Sequence, residues 1–402
     1  MELMTGPLAD KRIVLGVTGS IACYKAVDLA SKMVQAGALV DTIMSYGATQ
    51  FVTPLAFRSI THRQVVTDTF DLNSEFSNEH VALAQQADLV VIAPATVHCI
   101  AKLALGLADD PLTTTVIATA APLIVAPAMD ANMFDHPATQ ENLARLRLRG
   151  VAIAGPAPGR LSSGLIGMGR LLEPAELLGH ISATLGRGGD LAGRTIVVSA
   201  GGTQEPIDPV RVITNHSSGR MGYALAEAAR DRGANVILVA APTSLPDPPL
   251  VRLLRINTAQ EMCDAVLREV EEADALIMAA AVADYRPVAT AGQKIKKSDD
   301  SLSIDLTRTV DILEAATGTL VKVGFSAESE NLIANATKKV RRKSLDLIVA
   351  NDITDPESGF GVDTNRVVLI DRELGVEELP LMSKYEVSHR ILDRVASLLK
   401  GP

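Results

Sequence analysis

Two stretches of the chain set hydrogen-bond donors and titratable groups where chemistry on a phosphorylated substrate would need them. In the first, Thr18, Gly19 and Ser20 follow the apolar run KRIVLGV, Ser45 follows VDTIM, and Thr96 follows LVVIAPA. Glycine lets the backbone approach an anion, a helix N-terminus offers free N–H groups, and hydroxyls add donors without charge. The group reads as a phosphate cradle, although a Gly-Ser turn that merely caps a helix has the same composition. The spacing is not GxGxxG, and Ser45 stands where a dinucleotide site prefers an acidic residue for its ribose. A mononucleotide such as FMN therefore suits it better than NAD. In the second stretch, GGTQEPIDPVRVITNHSSGRMGYALAEAA over 201–229 sets a Gly turn, two prolines, Asn215 and a Ser-Ser-Gly before a helix. A plain connection needs none of that. His80 opens another helical stretch; an imidazole exchanges protons readily near neutral pH, but a lone histidine there also reads as a cap or surface residue. The basic run TKKVRRKS, around 338–343, reads by composition as a solvated charged face.

Such residues need a scaffold, and the chain carries the same scaffold pattern twice. From Lys11 an apolar strand, a TGS turn and a helical stretch from Ala22 to about Ala36 follow one another; from Arg194 the order returns as RTIVVSA, GGT, a longer polar excursion and a helix around Gly222 to Arg232, then ANVILVA. ADLVVIAPAT, 87–96, is echoed by ADALIMAAAVADY, 273–285. Short, fully apolar strands alternating with amphipathic helices are the mark of parallel sheets covered on both faces. The expected fold is two doubly wound, Rossmann-like α/β domains, 1–188 and 189–402, joined at GRGGDLAG, 186–193, where glycine and polar residues concentrate. The Gly-rich stretch GPAPGRLSSGLIGMGR, 155–170, is expected to be a mobile loop of the first domain, because long loops inside compact domains are usually functional; a disordered tether is the alternative.

Whole-chain properties exclude several classes. At 402 residues the chain exceeds one ordinary core. A net charge of −9 gives no general attraction for nucleic acid, and 3% aromatic content without Trp offers no stacking platform. Cys23, Cys99 and Cys263 are odd in number and far apart, so neither a disulfide framework nor a CxxC metal site is indicated, and a reducing cytoplasm is expected. No apolar run approaches the roughly 18 residues of a membrane span.

The first half is similar, over about residues 11–180, to the flavin-dependent cysteine decarboxylases, and most to the decarboxylase half of the bacterial phosphopantothenoylcysteine synthetase/decarboxylases. The likeness lies in GVTGSIACYKA, SYGATQFVTPL, EHVALAQQADLVVIAPAT, GLADDPLTTT and PAMDANMF. It implies FMN as cofactor, with Gly19, Ser20, Ser45 and Thr96 at the flavin, and His80, in its HxxLxxxAD pattern, as the catalytic histidine. In the implied mechanism FMN oxidises the substrate thiol to a thioaldehyde that accepts the electrons left by carbon dioxide, and the hydride is then returned. Two departures stand out. The family's PxMNxxM places an amide on the substrate carboxylate, whereas this chain has Asp130, with Asn132 and Met133 beside it as further substrate contacts. The family's flap often carries a cysteine as proton donor where this chain has Ser163.

The second half resembles the phosphopantothenoylcysteine synthetase domain from 201–229 through AAAVADYRP, KIKK, GFSAES and LIVAND to about residue 372. The resemblance implies that Asn215 stabilises an acyl-cytidylate, that Asp284, Phe325, Lys339 and Lys343 contact CTP, and that Lys294 is needed to form the intermediate. Val310 replaces a usual proline and leaves Asp311 in place at the nucleotide. The implied substrates are 4'-phosphopantothenate, L-cysteine and CTP, with Mg2+ or Mn2+ on the triphosphate and no ligand set nameable from the sequence. The implied assembly is a homo-oligomer of trimeric flavin domains and dimeric ligase domains, up to a dodecamer. Rival readings are a two-domain NAD(P)-dependent oxidoreductase, which rests only on the α/β pattern, and a flavin-binding regulatory protein.

Overall fold

The computed structural model describes residues 6–69, 79–296, 302–328, 330–352, 358 and 361–400. The chain divides into two compact units, Met1–Leu185 and Gly186–Pro402.

In the first unit, β1 (Arg12–Val17), β2 (Leu39–Met44), β3 (Val65–Val66), β4 (Leu89–Ala95), β5 (Leu123–Pro127) and β6 (Ala152–Ile153) form one sheet, ordered β3-β2-β1-β4-β5-β6. All of its pairings are parallel. Alternate residues explain the unbroken apolar runs. Ile13, Leu15, Leu89 and Val91 pack on one face with Leu29 and Met33 of the helix Cys23–Gln35 and Ile181 of the helix Pro174–Leu185. Val14, Val90 and Ile92 pack on the other with Ile100 of the helix Val97–Leu105. The strand order reverses between β1 and β4, and ligands of open α/β sheets sit beyond the strand ends at such a point. Thr18 follows β1 and Thr96 follows β4.

The stretch 155–170 is not the loop expected. It forms an antiparallel hairpin, β7 (Ala157–Arg160) and β8 (Ile166–Arg170). Its glycines serve close approach: a Cβ on Gly169 would lie 2.2 Å from the Met129 carbonyl oxygen, and one on Gly167 would lie 2.8 Å from Ala131 Cβ.

The second unit contains β9 (Thr195–Ala200), β10 (Gln204–Pro206), β11 (Val212–Thr214), β12 (Asn235–Ala240), β13 (Arg252–Arg255), β14 (Ala275–Met278) and β15 (Tyr285–Pro287). After these come β16 (Leu306–Arg308), β17 (Val321–Glu328), β18 (Leu347–Asp352), β19 (Thr364–Asn365), β20 (Val367–Asp371), β21 (Val376–Glu378) and β22 (Met382–Ser383). The main sheet runs β13-β12-β9-β14-β17-β18-β20-β21. The sheet is parallel as expected except at one edge, where β20 runs antiparallel to both β18 and β21; the short turn at 372–375 permits only a hairpin between β20 and β21. One face packs on the helices Arg220–Arg230 and Lys384–Lys400, the other on Ala259–Glu269 and Leu332–Lys343.

Residues 186–193 are packed onto the second unit. Leu191 is fully buried in its core, Asp190 accepts from Arg232 Nε at 2.9 Å, and a Cβ on Gly186 would overlap the Asp231 carbonyl oxygen at 2.0 Å.

Candidate active sites

At the end of β1 the buried Thr18 hydroxyl donates to the Pro94 carbonyl at 2.7 Å and accepts from the Thr96 amide at 3.0 Å, which locks the β1 and β4 ends together. Ser45 and Thr96 cap the helices Tyr46–Thr49 and Val97–Leu105, accepting from the Ala48 and Cys99 amides; the Ser45 O–H is left free to donate, while the Thr96 hydroxyl also lies 3.3 Å from that of Thr18. Gly19 lies against Gly47, where a Cβ would meet Gly47 backbone atoms at 2.9 Å. Among the described residues, the amides of Gly19 and Ile21 find no acceptor, while the Ser20 amide donates to the Cys23 sulfur. Unsatisfied N–H groups gathered at a sheet's switch point fit a phosphate, so the residues present fit the phosphate end of a mononucleotide. Ser20 accepts from the Ala22 amide at 3.3 Å.

His80 stands half-buried in the helix Glu79–Gln86, with no hydrogen-bond partner among the described residues. Asp130 caps the helix Ala131–Asp135, where Asn132 and Met133 are exposed. The hairpin turn brings Ser163 to Asp130: the hydroxyl donates to Asp130 Oδ2 at 2.5 Å.

In the second unit a cleft of about 1190 Å³ is lined by Asn215, Asp284, Asp311, Phe325, Lys339 and Lys343. β14 stops at Met278 and the chain leaves the sheet, which carries Asp284 to the cleft wall. Asn215 is held close to Gly202, whose Cβ would lie 2.7 Å from its carbonyl, and its side-chain amide donates to the Val282 carbonyl at 3.1 Å. Lys339 donates to Glu328 at 2.7 Å and to Ser326 at 2.7 Å, and Lys343 pairs with Asp311 at 2.6 Å. Burial would raise the Glu328 carboxyl, but the hydrogen bonds and charge of Lys339, with Ser326 and Asn335, hold it below the usual range. Asp311 also caps the helix Ile312–Ala315.

Lys294 is not among the residues lining this cleft. It sits in a segment anchored by the buried Asp208, whose carboxylate accepts from the amides of Val210 and Arg211, from Arg211 Nη1 and, at 3.1 Å, from the Ile295 amide. Sequence reasoning missed Asp208, Glu328, Arg220 and Lys384. Arg220 and Lys384 line the cleft, Arg220 paired with Asp363 and Lys384 donating to the Val362 and Thr364 carbonyls at 2.7 and 2.8 Å. Glu328 and Arg220 lay within recognisable motifs; nothing local marked Asp208 or Lys384.

Among the described residues no helix is long and apolar enough to cross a membrane.

The two units define a two-part flavoprotein. Residues 3–186 match the flavoprotein family, and residues 191–399 match the DNA/pantothenate metabolism flavoprotein C-terminal domain. The chain belongs to the family of coenzyme A biosynthesis bifunctional proteins, enzymes with decarboxylase and ligase activities. It is 43% identical over 399 residues to coenzyme A biosynthesis bifunctional protein CoaBC of Bacillus subtilis, covering 98% of each chain. It is 42% identical over 397 residues to the protein of that name from Escherichia coli K12, covering 97% of this chain and 98% of the other. Among solved structures, the C-terminal domain of a coenzyme A biosynthesis bifunctional protein CoaBC aligns at 40% identity and a TM-score of 0.46 over 53% of this chain and 99% of that one. A phosphopantothenoylcysteine decarboxylase mutant with pantothenoylaminoethenethiol aligns at 29% identity and a TM-score of 0.40, over 43% and 96%.

Proposed function

We propose that the second unit joins 4'-phosphopantothenate to L-cysteine with CTP and that the first decarboxylates the product to 4'-phosphopantetheine. The observation that carries the ligase half is one cleft holding Asn215, Asp284, Asp311, Phe325, Lys339 and Lys343 from five separate stretches of chain. Coupling two substrates at the expense of CTP needs cations for the triphosphate and a donor for the acyl oxygen. Lys339 and Lys343 are already held by carboxylates, and a triphosphate offers them a denser negative charge. The Asn215 side chain spends one N–H on Val282, which fixes its plane; its second N–H donates to the acyl-cytidylate carbonyl as the cysteine amine attacks and charge grows on that oxygen. Phe325 packs on the base, and Asp284 and Asp311 accept from nucleotide hydroxyl or amino groups. Lys294 closes on the triphosphate from the segment tied to Asp208. Among the described residues no group of three or more His, Cys, Asp or Glu could hold a metal ion, which accords with Mg2+ or Mn2+ arriving on the nucleotide phosphates.

In the first unit, the flavoprotein match and the free amides of Gly19 and Ile21 support FMN. When bound, FMN supplies reversible hydride acceptance, which gives the cysteine thiol the electron sink that a plain carboxylate lacks. His80 orients or deprotonates the thiol, and Asp130, Asn132 and Met133 contact the carboxyl end of the substrate. Ile21 and Tyr24, which follow the Thr18–Ser20 turn, and Tyr46, next to Ser45, are exposed, which supports covering by further copies and hence a homo-oligomer. Buried, free cysteines accord with a reducing cytoplasm.

The test is pyrophosphate release from CTP. It should require both 4'-phosphopantothenate and a divalent ion and, once cysteine is added, be followed by carbon dioxide release from yellow protein. Release with 4'-phosphopantothenate absent, or decarboxylation by colourless protein, would overturn this reading.

A further inference from the structure

The contact between Asp130 and Ser163 joins residues 33 positions apart, and the surrounding backbone is built to make it. The Met129 amide donates to the Gly169 carbonyl at 3.0 Å, while Gly169 and Gly167 approach Met129 and Ala131 more closely than any side chain allows. β8 thus grips both neighbours of Asp130. The turn between the hairpin strands is closed by Leu161 N–H to Leu165 O at 2.8 Å and Gly164 N–H to Leu161 O at 3.0 Å, which fixes Ser163 above the carboxylate. Asp130 is fixed in turn, its Oδ1 accepting from the Asn132 amide at 3.1 Å. At 2.5 Å the hydroxyl–carboxylate contact lies at the short end for a charge-assisted bond. Leu165, Ile166 and Met168 of the hairpin and Met133 of the adjoining helix are exposed and apolar, so a substrate covering them would leave the pair dry.

When carbon dioxide leaves, the electron pair of the broken C–C bond stays with the substrate, and the product needs one proton on that carbon. A serine hydroxyl alone is too weak an acid to give it. Resting on the decarboxylase reading above, we propose that Asp130 and Ser163 together are that acid. A substrate carboxylate brought beside the Asp130 carboxylate cannot share the site with it unless one of them takes a proton. Asp130 takes it and holds the substrate as a neutral acid, and its bond to Ser163 reverses: the protonated carboxyl now donates to the Ser163 oxygen, and the Ser163 O–H turns to the substrate. After decarboxylation the Ser163 O–H bond breaks as the new C–H bond forms, and the Asp130 proton passes to the Ser163 oxygen. Asp130 is left ionised and regains a proton from water. One proton is consumed per carbon dioxide released, and the step needs no oxidant or reductant. The proton that relieves the charge conflict on binding thus replaces the one that Ser163 gives to the product.

The test uses the full-length flavin-loaded enzyme and 4'-phosphopantothenoylcysteine, and follows carbon dioxide, flavin absorbance and product mass. Asp130→Asn and Ser163→Ala should each release carbon dioxide in the first turnover, then stall with bleached flavin and an enethiol product two mass units below the thiol. Steady turnover should fall by about 100-fold or more. Asp130→Asn/Ser163→Cys should regain turnover, because a thiol needs no relay. Ser163 is exposed, so its alanine variant reports even if Asp130→Asn loses flavin. Undiminished turnover in Ser163→Ala or Asp130→Asn, or a flavin-loaded double variant that stays stalled, would overturn the proposal. If the wild type releases no carbon dioxide at all, the decarboxylase reading itself fails.

Discussion

Ser163 donates to Asp130 across 2.5 Å, and these are the two positions at which the first unit departs from the decarboxylase pattern. A carboxylate stands where an amide is expected and a hydroxyl where a thiol is expected. Each change alone removes something the chemistry uses; together they place an acid and a proton carrier in contact.

Gly169→Ala should lift the hairpin, since the new Cβ would lie 2.2 Å from the Met129 oxygen. Overpacking of this kind costs about 1–3 kcal/mol. Hydrogen exchange should show faster loss of the Met129 amide, which donates to Gly169, while amides of β1 and β4 keep their protection.

Gly19→Ala should cost the protein its flavin and little else. The added methyl meets Gly47 backbone atoms at 2.9 Å, which spreads the amides facing the cradle. The measurement is the flavin-to-protein ratio after purification, expected to drop several-fold while far-UV circular dichroism is unchanged.

Asn215→Ala and Lys339→Ala should separate two roles in the cleft. Loss of the Asn215 donor should lower kcat for ligation by about 100-fold, the scale of one oxyanion donor, with KM for CTP little changed. Loss of Lys339 leaves Glu328 without its cation partner and should raise KM for CTP about tenfold or more. Decarboxylation of supplied phosphopantothenoylcysteine should be unaffected by either.

Asp208 gives a pH signature. Burial opposes its ionisation, but the amides of Val210, Ile295 and Arg211 and the Arg211 charge hold its carboxyl below the ordinary 3.8. A depressed folded-state pKa contributes stability above the unfolded value, and that contribution is lost as pH falls through the folded value. Asp208→Asn should therefore lower Tm by a few degrees at neutral pH, and the gap to the wild type should narrow below pH 3.8.

The apolar runs at 12–17, 89–95, 195–200 and 235–240 were legible because strands buried on both faces leave no room for polar residues. The site residues just beyond them followed from the same logic. Three things were not legible. Glycines at 155–170 suggested mobility, but composition cannot tell a glycine needed for motion from one needed for close contact, and here Gly167 and Gly169 serve contact. The antiparallel edge of the second sheet was hidden because β20 reads like any other buried strand until its partner is known. Asp208 and Lys384 escaped notice because their importance lies in backbone groups far along the chain that they hold.

The glycines at 186 and 189 fit against the turn at 231–232 so tightly that a methyl on either would overlap a carbonyl, and Leu191 is sealed in the second unit's interior. Anyone separating the halves for study should cut before this segment. A ligase fragment trimmed to its opening strand at Thr195 would expose a hole in its interior and leave the Arg232 guanidinium with Asp393 but without Asp190, so poor yield from such a clone would reflect where the scissors fell.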